Sequence, residues 1–540
     1  MKRFLSLILV LTMILLCTAC SEKGAGKTIT YALGSSPETL DPQFASEKDA
    51  HIVINNVFEG LVRLSSEGEI ISGIAESWDI SADGLTYTFH LKEGTEWYCP
   101  GTIKNEFGEE FYNRFSTEKV TANDFVFAMK RAVNPQTGSP SAHRLLVIEN
   151  AAEIYSGKLG AESLGVYAND DYTLVIKLAA PCDDLLQRLT ESVFMPCNED
   201  FFNAMGGRYG LTHKRILCNG PFYVSSWDSE NSLTIKNNKY YAGGQSVLPL
   251  SVVFSFDSDV ESVAQKVSSG TISAALLPPD CPVPEDCNVV NENENGIYGI
   301  FFNCADSIMK NVSIRQALCS TVDRSIFDSA DETLKPQSGF IPANCSAGSA
   351  NYRKAAEGRT PVIAYNEASA SALWNKGLSE IGQSKVKITV LCPENLDRAV
   401  RKQLQIWQRV MGISLGITVE NMPAQEIEKA VASGNYQIAL TGMESDYHSA
   451  VDYLASLSDG GVFRFGTEEY TRIINRLREV DSDDDLIGGC YTAETYILQQ
   501  GICFPLYSRS SRFVTAEDVE GISILNSESG ISFIGAKRFD

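Results

Sequence analysis

The chain of 540 residues reads as an α/β protein with mixed sheets, and three observations predict it. Alternating apolar residues mark short strands from residue 28 onward. Capped amphipathic runs mark helices between them. From about residue 397, helix and strand patterns follow one another in turn, as expected of a layer built on a largely parallel sheet, so this part of the chain reads as a lobe of its own. No repeat period or low-complexity block interrupts the sequence.

The first twenty residues precede the fold. Lys2 and Arg3, an apolar run over 4–16 and the small pair Thr18-Ala19 before Cys20 have the order of an export signal. The apolar run is too short to span a bilayer comfortably. Thr18-Ala19-Cys20 followed by the polar SEKGAGK resembles the bacterial lipoprotein signal, in which the cysteine is lipidated and becomes the mature N-terminus; Cys17 stands where that signal usually carries Leu. Two or more acyl chains on Cys20 would anchor the protein stably. The competing readings are a plain secretory cut beside an ordinary Cys20, or an uncleaved anchor. Residues 20–27 then read as a tether.

TITYAL at 28–33 alternates as a first strand. In TYTFHL at 86–91, Tyr87, Phe89 and Leu91 face one way and Thr86, Thr88 and His90 the other, with Asp83-Gly84 turning into the strand. YTLVIKL (172–178) and SLTIKN (232–237) read as a second strand pair, and Asn219-Gly220-Pro221 as a turn before the strand FYVSSW. Thr121 and Asp124 form a capping-box start for DFVFAMKRAV, which Asn134-Pro135 stops. Ser313 opens the helix IRQALCSTV. The clearest helix runs from 397 to 411, where Val400, Leu404, Trp407 and Met411 share a face and Gly412 caps the end; a strand over 417–419 follows, then the helix QEIEKAVASG and the strand YQIAL. Residues 98–119, rich in Gly, Asn, Glu and Tyr, read as a surface loop.

Composition narrows the function. With 45 basic against 68 acidic residues and a net charge of −23, nucleic acid is a poor partner. Five histidines (51, 90, 143, 213 and 448) lack ligand spacing, and neither HExxH, GxSxG nor GxxxxGK[ST] occurs, so nothing points to an enzyme, a metal site, bound ATP or a cofactor. Twelve cysteines follow Cys20 without a CxxC. Cys281 and Cys287, flanking PVPED, either close a small loop or remain buried thiols.

Several segments occur together in a fixed order: TLDPQ (39–43), NNVFEGLVRL (55–64), GIAESWDISADGLTYTFHLKEGTEW (73–97), VTANDFVFAMKRAVNP (120–135), NGPFYVSSW (219–227), IRQALCSTVDR (314–324), GFIP (339–342) and GNYQIAL with SDY downstream (434–447). In that order they resemble the extracellular solute-binding proteins of the peptide and nickel class, the family of the oligopeptide- and dipeptide-binding proteins, across nearly the whole mature chain. The resemblance implies a two-lobed, hinge-closing solute-binding fold: signal peptide 1–19, tether 20–27, lobe I from 28–62, 215–304 and 505–540, a subdomain of lobe I at 63–214, and lobe II at 305–504. It implies a monomer on the outer face of the cell membrane, anchored through Cys20, that captures peptides or a related small solute and delivers them to an ABC permease with its ATPase subunits. A lipoprotein sensor of signalling peptides and a binder of a metal-chelate ligand are the alternatives.

In this family an aspartate in a Trp-x-x-Asp-Tyr-like segment holds the ligand's amino group. The matching stretch GMESDYHSAVDYL puts Asp446 at that aspartate with Tyr447 beside it, Met443 in place of the Trp, Glu444 as an extra carboxylate, and Ser449-Ala450 where an acidic-or-polar residue and Pro are usual. A thioether in place of an indole softens that wall. The competing reading of Asp446 is a loop cap. On the first lobe the resemblance places strand edges for the ligand around Ala50, His51 and Ile52, with His51 either a groove wall or an exposed residue. Arg315 and Asp323-Arg324 read as fasteners of a helix to its neighbours.

Overall fold

The computed structural model describes residues 24–539 apart from 183, 279–280, 329–334, 349, 357–358, 360, 446–448, 459–460, 462, 478–479, 481 and 526–529. The chain divides into two compact units, one of Met1–Leu277, Cys281–Asn291 and Phe513–Asp540, the other of Pro278–Asp280 and Glu292–Arg512. Apart from the short excursion Pro278–Asp280, it passes from one to the other within two long strands, Cys287–Phe302 and Cys503–Ala516. Cys20 and the leader lie outside the described residues.

In the first unit, Thr28–Leu33 runs parallel to Ser251–Phe256, followed outward by the antiparallel strands Ser232–Asn237 and Phe222–Asp228; Ala274–Leu277 lies on its other side. A separate antiparallel sheet has the order Ala75–Ile80, Thr86–Leu91, Thr173–Lys177, Val166–Asp170. The strands at 172–178 and 232–237 are present but do not pair with each other. Each instead forms a hairpin with the strand just before it, the shorter closure.

Several of the ordered motifs turn out to be joints of this unit. The carboxylate of Asp41, in TLDPQ, takes two hydrogen bonds of 2.6 Å from the guanidinium of Arg131 on the helix Ala122–Val133, and Arg131 also donates to Gln43 Oε1. Gln43 Nε2 donates to the carbonyls of Val193 (3.1 Å) and Met195 (2.8 Å). Asn219 exchanges two hydrogen bonds with the Glu59 main chain, at 3.0 and 2.9 Å. A Cβ on Gly220 would stand 2.6 Å from the Val57 carbonyl carbon, which is why glycine follows that asparagine.

At the start of Ala122–Val133, Asp124 Oδ2 accepts from the Thr121 N–H (2.7 Å) and hydroxyl (3.3 Å) and, more weakly, from the Trp97 indole (3.4 Å). Burial pushes this carboxyl up to about 7 against those hydrogen bonds, which favour the ionised form. A folded-state value above the unfolded one near 3.8 contributes stability that is complete below 3.8 and is lost as pH rises through about 7. Wild type should therefore lose ~2–4 kcal/mol relative to Asp124→Asn between about pH 4 and about pH 8. Urea unfolding of both proteins across that range checks it, and a constant difference would contradict it.

Residues 98–119 are more than a surface loop. They form the helices Lys104–Phe107 and Glu109–Phe115, held by an aromatic cluster in which Phe107 stacks on Phe111 at 4.9 Å and Phe115 meets Phe201 edge-on at 5.1 Å. Ile103 and Phe115 are fully buried. Phenylalanines at 107, 111 and 115, four residues apart, are the helical signal beneath the polar composition.

The sheet of the second unit has the order Leu415–Asn421, Val386–Cys392, Ile438–Glu444, then the two long strands, with Lys335–Pro336 pairing Cys503–Ala516. Its first three strands are mutually parallel, and Ile438–Glu444 runs antiparallel to Cys287–Phe302. The helix Asp397–Met411 buries Val400, Leu404, Trp407 and Met411 against Ile388, Val390 and Leu440 of this sheet. Helix Val312–Cys319 is capped two residues before Ser313: Asn311 is its cap, with its side-chain oxygen accepting from Ile314 N–H at 3.0 Å. Arg315 and Arg324 act as fasteners. Arg315 donates to the carbonyls of Met309 and Gln500, and Arg324 to those of Gln337, Pro505 and Leu506.

Candidate functional site

The segment with the strongest site signal continues from the carboxyl end of a strand. Ile438–Glu444 is buried through Thr441 and then half-buried over Gly442, Met443 and Glu444. The chain resumes at Ser449, whose hydroxyl accepts from Asp452 N–H at 3.2 Å and caps the helix Ala450–Ala455. Asp446 and Tyr447 lie between these points and outside the described residues. The carboxyl ends of Val386–Cys392, Leu415–Asn421 and Ile438–Glu444 share one end of the parallel layer, where ligands of α/β sheets bind.

The walls of this end are fixed by packing. Met443 lies opposite Ile297, and its carbonyl accepts from the Tyr453 hydroxyl at 3.2 Å. The Tyr453 ring rests 5.2 Å from Phe340 in the GFIP turn. Beneath that turn Glu494, completely buried, accepts from Tyr352 Oη (2.7 Å), Ile341 N–H (2.9 Å) and the guanidinium of Arg353, which also donates to the Ile341 carbonyl. Ser346 bridges Ser449 from the neighbouring loop. The Cys345 thiol, pushed up to about 12 by burial, is a packing group here.

Glu444 stands directly opposite Gly296, and Glu294, two residues along that strand, pairs with Lys335 at 2.5 Å. Both carboxylates project from the same sheet face, because side chains two apart on a strand share a face. Among the described residues, no group of three or more His, Cys, Asp or Glu is placed to hold a metal ion.

The first unit differs from expectation. Ala50, His51 and Ile52 form no strand edge: they belong to the helix Lys48–Val57 and are 1%, 5% and 1% exposed. His51 Nδ1 hydrogen-bonds Ser192 Oγ at 2.9 Å, so its ring is neither exposed nor a strand-edge wall. The physical cause is legible afterwards: Ala50, Val53, Ile54 and Val57 repeat at helical spacing and are all buried.

Residues 69–464 match the family described as bacterial extracellular solute-binding proteins, family 5, middle. The dipeptide-binding protein of Lactococcus lactis is 26% identical over 488 residues, 86% of this chain and 84% of that protein. The oligopeptide-binding protein OppA of Bacillus subtilis is 25% identical over 553 residues, 96% of this chain and 97% of that one. In fold, the substrate-binding domain of an oligopeptide ABC transporter from Bacillus anthracis superposes with a TM-score of 0.76 at 23% identity, over 96% of this chain and all of that one. Peptide-bound OppA of Listeria monocytogenes gives 0.75 at 22% identity, over 95% and 99%. With the family match spanning well over half its length, this chain belongs to the bacterial extracellular solute-binding proteins of family 5.

Proposed function

We propose that the chain is the membrane-anchored substrate-binding subunit of an ABC importer, which takes up peptides between its two lobes and presents them to the permease. The observation that carries this reading is the family match, read together with relatives named for dipeptides and oligopeptides over more than four-fifths of both chains. The chemistry agrees. A binder of varied peptides must grip what all peptides share, and the ammonium of the N-terminus needs a carboxylate and hydrogen bonds once it leaves water. Asp446 is assigned that carboxylate, with Met443 and Tyr447 as walls of the same end and Glu444 beside it. The helix carrying Ala50, His51 and Ile52 is an internal support of unit 1 rather than a strand edge. A ligand touching both lobes favours their closed arrangement only by contacts that the open one lacks. Diacylated Cys20 holds the subunit at the outer face of the membrane.

Mass spectrometry of small molecules released by denaturing the purified mature chain tests the ligand class. Peptides are expected in amounts approaching one per protein. A relative described as a probable deoxycholate-binding protein, 25% identical over 489 residues, sets the contrary result: stoichiometric release of a sterol acid or another non-peptide would overturn the assignment.

A further inference from the structure

The outer strand of the second unit's sheet, Leu415–Asn421, pairs with Val386–Cys392 on one side only. An open strand edge presents unpaired N–H and C=O groups, and folds blunt such edges with bulges, proline or charge. Three other outer strands of this protein are blunted in that way. Phe222–Asp228, Ala75–Ile80 and Val166–Asp170 each carry one unmatched residue, Ser225, Glu76 and Asn169, where the register shifts. Leu415–Asn421 is not. Its seven residues keep an unbroken register with Val386–Cys392, include no proline and carry one charge, Glu420, near the end.

The residues of this edge fit a second copy of the same strand. Set antiparallel about Thr418, Ile417 of one copy stands opposite Val419 of the other, and both are half-buried β-branched residues on the face that packs over the helix Asp397–Met411. On the opposite face Thr418 meets Thr418, extending the row in which Thr389 Oγ1 already lies 3.3 Å from Thr418 Oγ1. In the same register Glu420 falls opposite Gly416, which has no side chain to meet it. Directly beyond Gly416, on the neighbouring strand and the same face, stands Lys387. Lys387 and Glu420 are exposed, and no ion pair holds either among the described residues. Two strand spacings, about 10 Å between Cα atoms, separate them across the pair, a span that a glutamate and a lysine cover together. The contact occurs twice by symmetry. Carried two residues past the strand, the register also brings Ile413, 91% exposed, level with the exposed Pro423 of the other copy.

We propose that Leu415–Asn421 pairs antiparallel with its counterpart on a second copy of this chain, giving a twofold dimer whose register is set by Glu420 reaching over Gly416 to Lys387. This departs from the monomer that the family resemblance implies. The paired strands run in opposite directions, so the carboxyl ends that lead into the ligand segment point away from each other and the pairing covers neither. Seven residues of edge bury less than a standard stable interface, so the association is weak and depends on concentration.

Sedimentation equilibrium of the unacylated mature chain tests it. Wild type should be monomeric at about 1 μM and approach twice the monomer mass by about 500 μM, with the amides of 415–421 exchanging more slowly at the higher concentration. Lys387→Glu and Glu420→Lys, each of which sets like charges together, should each weaken association about tenfold or more, and an equimolar mixture of the two variants should restore it as a heterodimer. A wild type that stays monomeric at about 500 μM would overturn the proposal. So would a dimer without protection at 415–421, which places the contact elsewhere, or one indifferent to both substitutions. Variants that weaken association alone and fail to recover it when mixed would overturn the register. If a variant does not fold, the wild-type mass and exchange decide the case.

Discussion

Arg131→Ala should cost ~3–5 kcal/mol of folding stability, the usual consequence of leaving a buried carboxylate without its cation. Asp41 and Arg131 are only 9% and 8% exposed, and two bonds of 2.6 Å join them in a fork that no other side chain can replace. Asp41 still accepts from Gln43 N–H at 3.1 Å, but a neutral donor does not offset the charge. The guanidinium also lies 4.4 Å over the Phe202 ring, so truncation opens space as well. Urea unfolding monitored by hydrogen exchange should show the loss in amides of Ala122–Val133. Adding Asp41→Asn should recover part of it, because the stranded charge is then gone. A loss below ~1 kcal/mol would show that the pair is effectively solvated.

The second unit holds its counterpart. Arg353→Ala should likewise cost ~3–5 kcal/mol, since Glu494 is completely inaccessible and keeps, among the described residues, only the Tyr352 hydroxyl and the Ile341 N–H as donors. The Ile341 carbonyl loses the Arg353 Nε bond of 2.8 Å at the same time. The GFIP turn, and through Phe340 the Tyr453 wall, should then exchange faster than the sheet strands of the same unit. Unchanged exchange at 339–342 would contradict this account of the turn.

Both pairs explain why motifs spread along the sequence recur as a set. TLDPQ and VTANDFVFAMKRAVNP are two halves of one joint, and NGP closes on the backbone beside FEG. Such couplings join residues 90 or more apart in sequence, so their physical content was invisible to any reading of local pattern. Local pattern was enough where one face dominates. The helix Asp397–Met411 has the limits expected of it, because its apolar stripe, its acidic first turn and Gly412 all agree. It fell short at Val312–Cys319, whose cap is Asn311 rather than Ser313. It misled where composition masked spacing: the polar stretch 98–119 hides three phenylalanines one turn apart, and His51 drew attention from the apolar repeat that places it inside a helix. At the site, the sequence led to the end of Ile438–Glu444, but the place of Glu444 opposite Gly296 depends on strand register and could not be read from spacing.

The central claim, that a peptide's free N-terminus is held at this strand end, is tested most directly by calorimetry of one binding peptide and its N-acetylated form against wild type and Asp446→Asn. The substitution should weaken the free peptide by ~30-fold or more, as expected for loss of one partner of a desolvated charge pair, and leave the weaker binding of the acetylated form nearly unaltered. Equal losses for the two peptides would contradict the claim.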